Sequence, residues 1–173
     1  MKAQSKTKAK IIYLTTASII AALYVILTLL SGLLGLDGKG IIQVRISEAL
    51  CILPIFTSAA IPGVTVGCFI YNLFFCSPID AIFGTLATLI GVLAARFITF
   101  FRKNALLASI PTVISNTVII PFIIAFVYNG GGLAGVPFLM LTVFIGEAIS
   151  CTAFGYILAA ALKKHQGLFK LEK

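Results

Sequence analysis

Residues 41–75 read IIQVRISEALCILPIFTSAAIPGVTVGCFIYNLFF, and Arg45 and Glu48 are the only charged side chains in the run. About 20 apolar residues span the hydrocarbon of a bilayer as a helix, so the stretch is too long for one crossing. The segment TSAAIPG at 57–63 supplies a turn, and Pro62 suits the opening of a new helix. The stretch is therefore read as two spans, 41–56 and 59–76. That division decides the fold, because the parity of the span count sets whether the two ends of the chain share a side of the membrane.

The whole chain has 173 residues, 60% hydrophobic and 10% charged, with a mean hydropathy of +1.14. A soluble domain carries about 25% charged residues, so this composition belongs to an integral membrane protein. A transmembrane barrel alternates apolar and polar residues at period two, which these segments do not, and helices are the remaining way to cross. Four further spans are predicted at 11–36, 78–101, 106–128 and 137–162, all within a single domain covering 1–173.

Thirteen Lys and Arg residues orient these spans. Lys2, Lys6, Lys8 and Lys10 precede span one; Arg96, Arg102 and Lys103 fall around the link between spans four and five; Lys163, Lys164, Lys170 and Lys173 follow span six. Lys39 alone falls in a loop on the opposite side. The excess of positive charge on cytoplasmic loops then predicts an all-α membrane protein of six transmembrane helices, with both termini cytoplasmic, in the cell membrane. Merging spans two and three would put the lysine-rich tail outside. The basic N-terminus is expected to lead into a retained first helix, since the apolar run after it is too long for a signal peptide.

Several function classes fall away on composition. The basic balance follows topology and lacks an aromatic-interleaved patch, which excludes nucleic acid as a partner. Cys51, Cys68, Cys76 and Cys151 form no C-x-x-C pair and read as small hydrophobes. His165, the single histidine, lies in the tail, so neither a Ser–His hydrolase nor a His-ligated metal site can be assembled. DGKGI at 37–41 lacks the spacing of a phosphate loop. No catalytic residue, metal ligand or cofactor is assigned, and the protein is expected not to be an enzyme.

Polar residues at membrane depth cost several kcal/mol unless paired or facing a cavity, so each is a functional candidate. They are Arg45 and Glu48 on span two, Asn72 on span three, Asp80 at the start of span four, Asn116 on span five and Glu147 on span six. At about 1.5 Å per residue, Glu48 lies roughly 10 Å and Asn72 roughly 6 Å below the outer ends of their helices. Asp80 falls at the outer mouth, and Asn116 and Glu147 come near the midplane, roughly 15 Å down. The pattern predicts a polar cavity open to the outside. Other readings stand beside it. Arg45 and Glu48, three apart on one helical face, suffice to neutralise each other, with the arginine snorkelling outward. Asp80, after Ser77 and Pro78, has the pattern of a helix cap, and the two asparagines suit hydrogen bonds between helices. Glu147 has no cation within reach on its own helix and needs another helix, a proton or a ligand.

Small residues four apart mark close helix approach: Ala17 and Ala21, Gly63 and Gly67, and the ridge Ala87, Gly91, Ala95. Such spacings usually serve internal packing, but span one carries no charge and leaves its small face open to another protein. The echo between SEALC (47–51) and GEAISC (146–151) falls on spans two and six, which an inverted three-plus-three repeat would not pair.

The segments VRISEALCILP (44–54), FTSAAIPGVTVGC (56–68), DAIFGTLATL (80–89), PTVISN (111–116) and GEAISC (146–151) resemble those of the queuosine-precursor transporter family, QueT. The chain departs from the family pattern at Ser58, at Tyr71 and in the glycine-rich stretch 129–135. The resemblance implies a substrate-binding S-component of an energy-coupling-factor (ECF) importer. Such a subunit captures a 7-deazaguanine precursor of queuosine outside and passes it in through a transmembrane coupling protein and two cytosolic ATPases. Ala17 and Ala21 match the face that S-components offer to the coupling protein. A carboxylate accepts the adjacent N–H donors of a guanine-like edge in bidentate fashion. The expected contacts are therefore Glu147 on that edge, Asn116 on the carbonyl side, and Glu48, oriented by Arg45, on the second polar end. Asn72 and Asp80 are expected near the mouth. An S-component for another vitamin-like compound and a stand-alone proton-coupled secondary transporter remain the competing functions.

Overall fold

The computed structural model describes residues 2–36, 42–101, 104–128 and 133–164, and all regular structure within them is helical. The expected break at 37–41, the first four residues of the one at 129–137 and the tail from His165 onward lie outside the described residues. Helix α1 runs over Lys2–Leu33. It ends where Gly35 adopts a φ of +71°; the amides of Gly35 and Leu36 then donate to the carbonyls of Gly32 and Ser31 at 3.0 and 2.9 Å. A left-handed glycine with this pair of bonds is the common means of closing a helix C-terminus.

A 3-10 helix follows at Ile46–Ile55, then α2 at Ala60–Phe75. A π turn at Asp80–Gly84 leads into α3 at Thr85–Phe101. Helix α4, Ala105–Ile123, is capped by Asn104, whose side chain accepts from the Leu106 amide at 2.9 Å. It widens into a π turn at Ile124–Tyr128. Helix α5, Val136–Glu147, passes through a π segment at Ala148–Phe154 into α6 at Gly155–Lys163.

Among the described residues the helical stretches are 2–33, 46–55, 60–75, 80–101, 105–128 and 133–163. Among the described residues, four helices are long and apolar enough to cross a membrane, within 6–33, 80–100, 105–127 and 133–163. The other two are shorter. Ten residues of 3-10 helix rise about 20 Å and the α2 segment about 24 Å.

The largest difference from the sequence reading falls in 41–56, expected as a helical span. Arg45 is extended, with φ −102° and ψ 107°, so it does not share a helical face with Glu48. The reason is how the backbone donors are met. The amide of Val44 donates to the Leu36 carbonyl at 2.9 Å, that of Arg45 to Ser150 Oγ at 3.1 Å, and that of Ile46 to Ser31 Oγ at 2.8 Å. Partners on neighbouring elements satisfy these groups, so no helix is needed there. The 3-10 helix that follows is buried from residue 47 to residue 54. It lies at the centre of the bundle, against α1, α2, α3, α4, α6 and the π segment 148–154.

Large apolar side chains such as Phe97, Phe100, Ile114 and Ile157 cover the exterior, while Glu48, Asn72 and Asn116 are buried. This is the order expected when the surrounding solvent is lipid. Glycines set the closest approaches. A β-carbon on Gly63 or Gly67 would stand 2.8 Å from the carbonyl oxygen of Ala17 or Ala21 on α1, and one on Gly91 would meet Thr112 Cα of α4 at 2.6 Å. The tightest is Gly146, where a β-carbon would lie 1.9 Å from the carbonyl oxygen of Gln43. Gly146→Ala must therefore displace the 43–45 segment. It is expected to destabilise the protein by about 3 kcal/mol or more. Gly135→Ala, at a position with no atom within 4 Å, should stay within about 0.5 kcal/mol of the parent; thermal unfolding in detergent checks both.

Candidate functional site

Where the extended segment 43–45 crosses α5, a narrow polar cavity lies between the 3-10 helix and the long helices. Arg45, Glu48, Asn116 and Glu147 all line it, with Gln43, Cys68, Gly84, Thr88, Ile120 and Val143 completing the wall. Four of the six polar residues singled out in the sequence thus meet at one place, from the 3-10 region, α4 and α5.

Glu147 is the last residue of α5, immediately before the helix widens into its π segment. Such widenings recur at functional sites because they turn a side chain out of α-helical register. Asn116 Nδ2 donates to Glu147 Oε1 at 2.9 Å. A carboxylate only accepts, so this bond fixes which way the amide of Asn116 faces. Glu147 Oε2 and Asn116 Oδ1 are left buried with no hydrogen-bond partner. Both belong to residues of the cavity wall, and both call for a donor.

Glu48 is held on both oxygens. Tyr24 donates its hydroxyl to Oε1, and the Cys51 thiol donates to Oε2 at 3.1 Å. A carboxylate has about four lone-pair sites, so capacity for a ligand remains. Arg45 lies over the ring of Tyr71, its guanidinium carbon 5.9 Å from the centroid, within reach of a cation–π contact. Tyr71 itself stacks on Phe75 at 5.2 Å. Tyr71 thus lies beneath the arginine on the side of α2.

Asn72 and Asp80 do not line the cavity. Asn72 stands behind the wall: its Nδ2 donates to the Asp80 carbonyl at 3.2 Å and approaches Cys68 Sγ at 3.4 Å. Its Oδ1 is buried without a partner. Asp80 accepts from the Ser77 hydroxyl at 2.8 Å, while its own amide donates back to Ser77 Oγ at 3.1 Å. That reciprocal pair is a helix-start arrangement, the alternative reading of Asp80 in the sequence.

Ala17 and Ala21 lie beside α2. Ala21 is buried and Ala17 half-buried, and their carbonyls face Gly63 and Gly67. Beyond this contact the two helices leave an apolar groove lined by Ala17, Ser18, Ala21, Ala22, Pro62 and Val66, among others. The small face therefore serves internal packing first, and its flank borders the groove. Among the described residues no group of three or more His, Cys, Asp or Glu is placed to hold a metal ion.

Sequence reasoning missed Tyr24, Gln43, Tyr71 and Thr88. Tyr24 had a signal: with Thr28 and Ser31 it forms a polar series at steps of four and three in the otherwise apolar stretch 19–34. Gln43 and Tyr71 had none, since the first acts through a crossing of elements distant in sequence and the second through an aromatic ring in an aromatic-rich segment.

The fold and site together define a helical membrane protein with a narrow polar cavity between its helices. The model of the QueT transporter family matches residues 14–164, and the chain belongs to that family. It is also 42% identical over 83 residues to a protein of Lactococcus lactis subsp. cremoris (strain MG1363) named queuosine precursor transporter QueT. The aligned part spans about half of either chain, 48% of each. No solved structure matches the chain.

Proposed function

We propose that the protein is the substrate-binding S-component of an ECF importer and captures a 7-deazaguanine precursor of queuosine for ATP-driven uptake. The observation that carries the reading is the pair of buried, unpartnered acceptors, Glu147 Oε2 and Asn116 Oδ1, on the wall of one cavity. Buried polar atoms without partners are costly, so a site that keeps two of them is suited to a ligand that brings the missing donors. A guanine-type edge offers adjacent N–H groups. Glu147 accepts from these through Oε2. Asn116 has one N–H committed to Glu147 and presents its second N–H to a ligand carbonyl and its Oδ1 to a further donor. Glu48, at the other end of the cavity, takes the aminomethyl cation where the precursor carries one, and Arg45 sets the charge balance beside it. Asn72 and Asp80 shape the wall from behind.

Family membership supports a transporter role, and the name of the Lactococcus relative supports a queuosine precursor as cargo. The phosphate-loop spacing is missing from the sequence, which fits a division of labour in which separate ATPases supply energy. We place the six helices across the cell membrane with both termini cytoplasmic, the short 3-10 helix and α2 crossing as one re-folded pair within the bundle. The coupling protein docks a small-residue helix along the apolar groove between α1 and α2.

Three measurements test this reading. Glu147→Ala and Glu48→Ala should each weaken precursor binding by about 2–5 kcal/mol, the cost of removing one partner of a buried charge-assisted bond; unchanged affinity in both variants removes the site. A membrane-impermeant thiol probe applied outside, with Cys76 replaced, should label a cysteine placed at Gly135 and spare one placed at Gln166; labelling at Gln166 means an odd number of crossings. Ser18→Trp with Ala22→Trp, both exposed on the rim of the groove, should abolish co-purification with the coupling protein while precursor affinity is retained. Intact assembly would move the docking face elsewhere. Uptake by proteoliposomes containing this chain alone would favour the proton-coupled alternative.

A further inference from the structure

Helix α1 carries one stripe, Ala17, Ala21, Tyr24, Thr28 and Ser31, whose steps of four and three residues keep it on one side of the helix. The first two residues lie against Gly63 and Gly67 of α2. The last three make a ladder to consecutive residues of the 3-10 region. Tyr24 donates to the Glu48 carboxylate, Thr28 Oγ1, whose own proton goes to the Tyr24 carbonyl, accepts from the Ser47 hydroxyl at 2.7 Å, and Ser31 Oγ accepts from the Ile46 amide at 2.8 Å. All three side chains are buried.

The rung at Tyr24 differs from the other two in what it holds. Thr28 and Ser31 bind a hydroxyl and a backbone amide outside the cavity wall. Tyr24 binds the carboxylate of a cavity residue. Its own place is fixed at the root of the ring, where a β-carbon on Gly67 would stand 2.7 Å from Tyr24 Cβ. The second donor to Glu48 is a thiol, a weak one. The phenol is therefore the group that decides the rotamer of Glu48.

We propose that Tyr24 is a positioning residue of the ligand site, holding Glu48 turned toward the cavity so that its free lone pairs meet a cationic group of the ligand. This rests on the reading of Glu48 as a ligand contact. A glutamate loses rotamer freedom when it engages a ligand, and one already fixed has less to lose. By the same bond α1 becomes part of the site, although no residue of α1 lines the cavity.

The test compares two ligands on the purified full chain in detergent by equilibrium dialysis: 7-aminomethyl-7-deazaguanine and 7-deazaguanine, which lacks the aminomethyl cation. Tyr24→Phe should weaken binding of the first by about tenfold, the value of one hydrogen bond to a charged group, and leave the second within about twofold. Glu48→Gln should change the same ratio in the same direction. Equal loss of both ligands in Tyr24→Phe would make Tyr24 a folding residue and overturn the proposal. An unchanged ratio in Tyr24→Phe beside a changed one in Glu48→Gln would overturn it too, with Glu48 still a contact. An unchanged ratio in Glu48→Gln would instead sink the underlying reading of Glu48 and the proposal with it. Should Tyr24→Phe not fold, 4-fluorophenylalanine at position 24 fills the space of the hydroxyl without donating, and 4-aminophenylalanine restores a donor. The first must lose the discrimination and the second must keep it.

Discussion

The carbonyl of Gln43 lies where the β-carbon of any residue but glycine at position 146 would have to stand, 1.9 Å away. The rest of the site depends on that crossing. With the chain pressed onto α5 there, the amide of Arg45 reaches Ser150 Oγ, and the next residues turn into the central 3-10 helix. Glu48 then faces the same cavity as Glu147, a hundred residues further along the chain. A larger residue at 146 would lift the extended segment away from α5 and separate the two carboxylates. The glycine of GEAISC is thus as much a part of the site as the glutamate beside it.

An oily chain that buries this many polar groups has to satisfy them locally, because lipid supplies no partners. The structure does so by pairing hydroxyls with helix carbonyls one turn back, as at Thr28, Ser31, Thr65 and Thr99, and by bonds across helices. Ser115 donates to the Ala87 carbonyl at 2.8 Å, and Thr152 to Ser109 Oγ at 2.9 Å. Against that background the unpartnered oxygens of Glu147 and Asn116 stand out. Thr85, Thr112 and Thr117 also leave a hydroxyl oxygen without a partner, but a neutral hydroxyl costs much less to bury than a carboxylate. Asn72 Oδ1, behind the wall, is unpartnered as well, so the energetic asymmetry rests on the carboxylate of Glu147, and that is what supports the cavity as the proposed binding site.

The glycine ridges explain how the cavity is enclosed without long interhelical side chains. Gly63 and Gly67 bring α2 onto α1, and Gly91 brings α3 onto α4, each at backbone-contact distance. In lipid, close contact of this kind supplies much of the attraction that the hydrophobic effect supplies in water. The same approaches leave the shoulders of α1 and α2 as an apolar groove, so one set of small residues both closes the bundle and shapes an external surface. That double use is also why the Ala17 and Ala21 pattern cannot by itself separate internal packing from docking.

The sequence alone determined the helical membrane class and picked out Arg45, Glu48, Asn72, Asp80, Asn116 and Glu147 as polar groups at membrane depth. Each rests on a local signal: apolar run length, turn residues, and the cost of a polar group at depth. Tertiary structure decided what no local signal carries. It made 42–55 an extended segment and a 3-10 helix, because the backbone donors of Val44, Arg45 and Ile46 find partners on Leu36 just past α1, on the π segment and on α1. It separated Asp80 and Asn72 from the cavity wall, since both are engaged with their own neighbourhood. It also recruited Tyr24 to Glu48 across α1. Periodicity shows which face of a helix is polar. Which partner meets that face depends on how elements far apart in the chain cross, and here those crossings are set by single glycines.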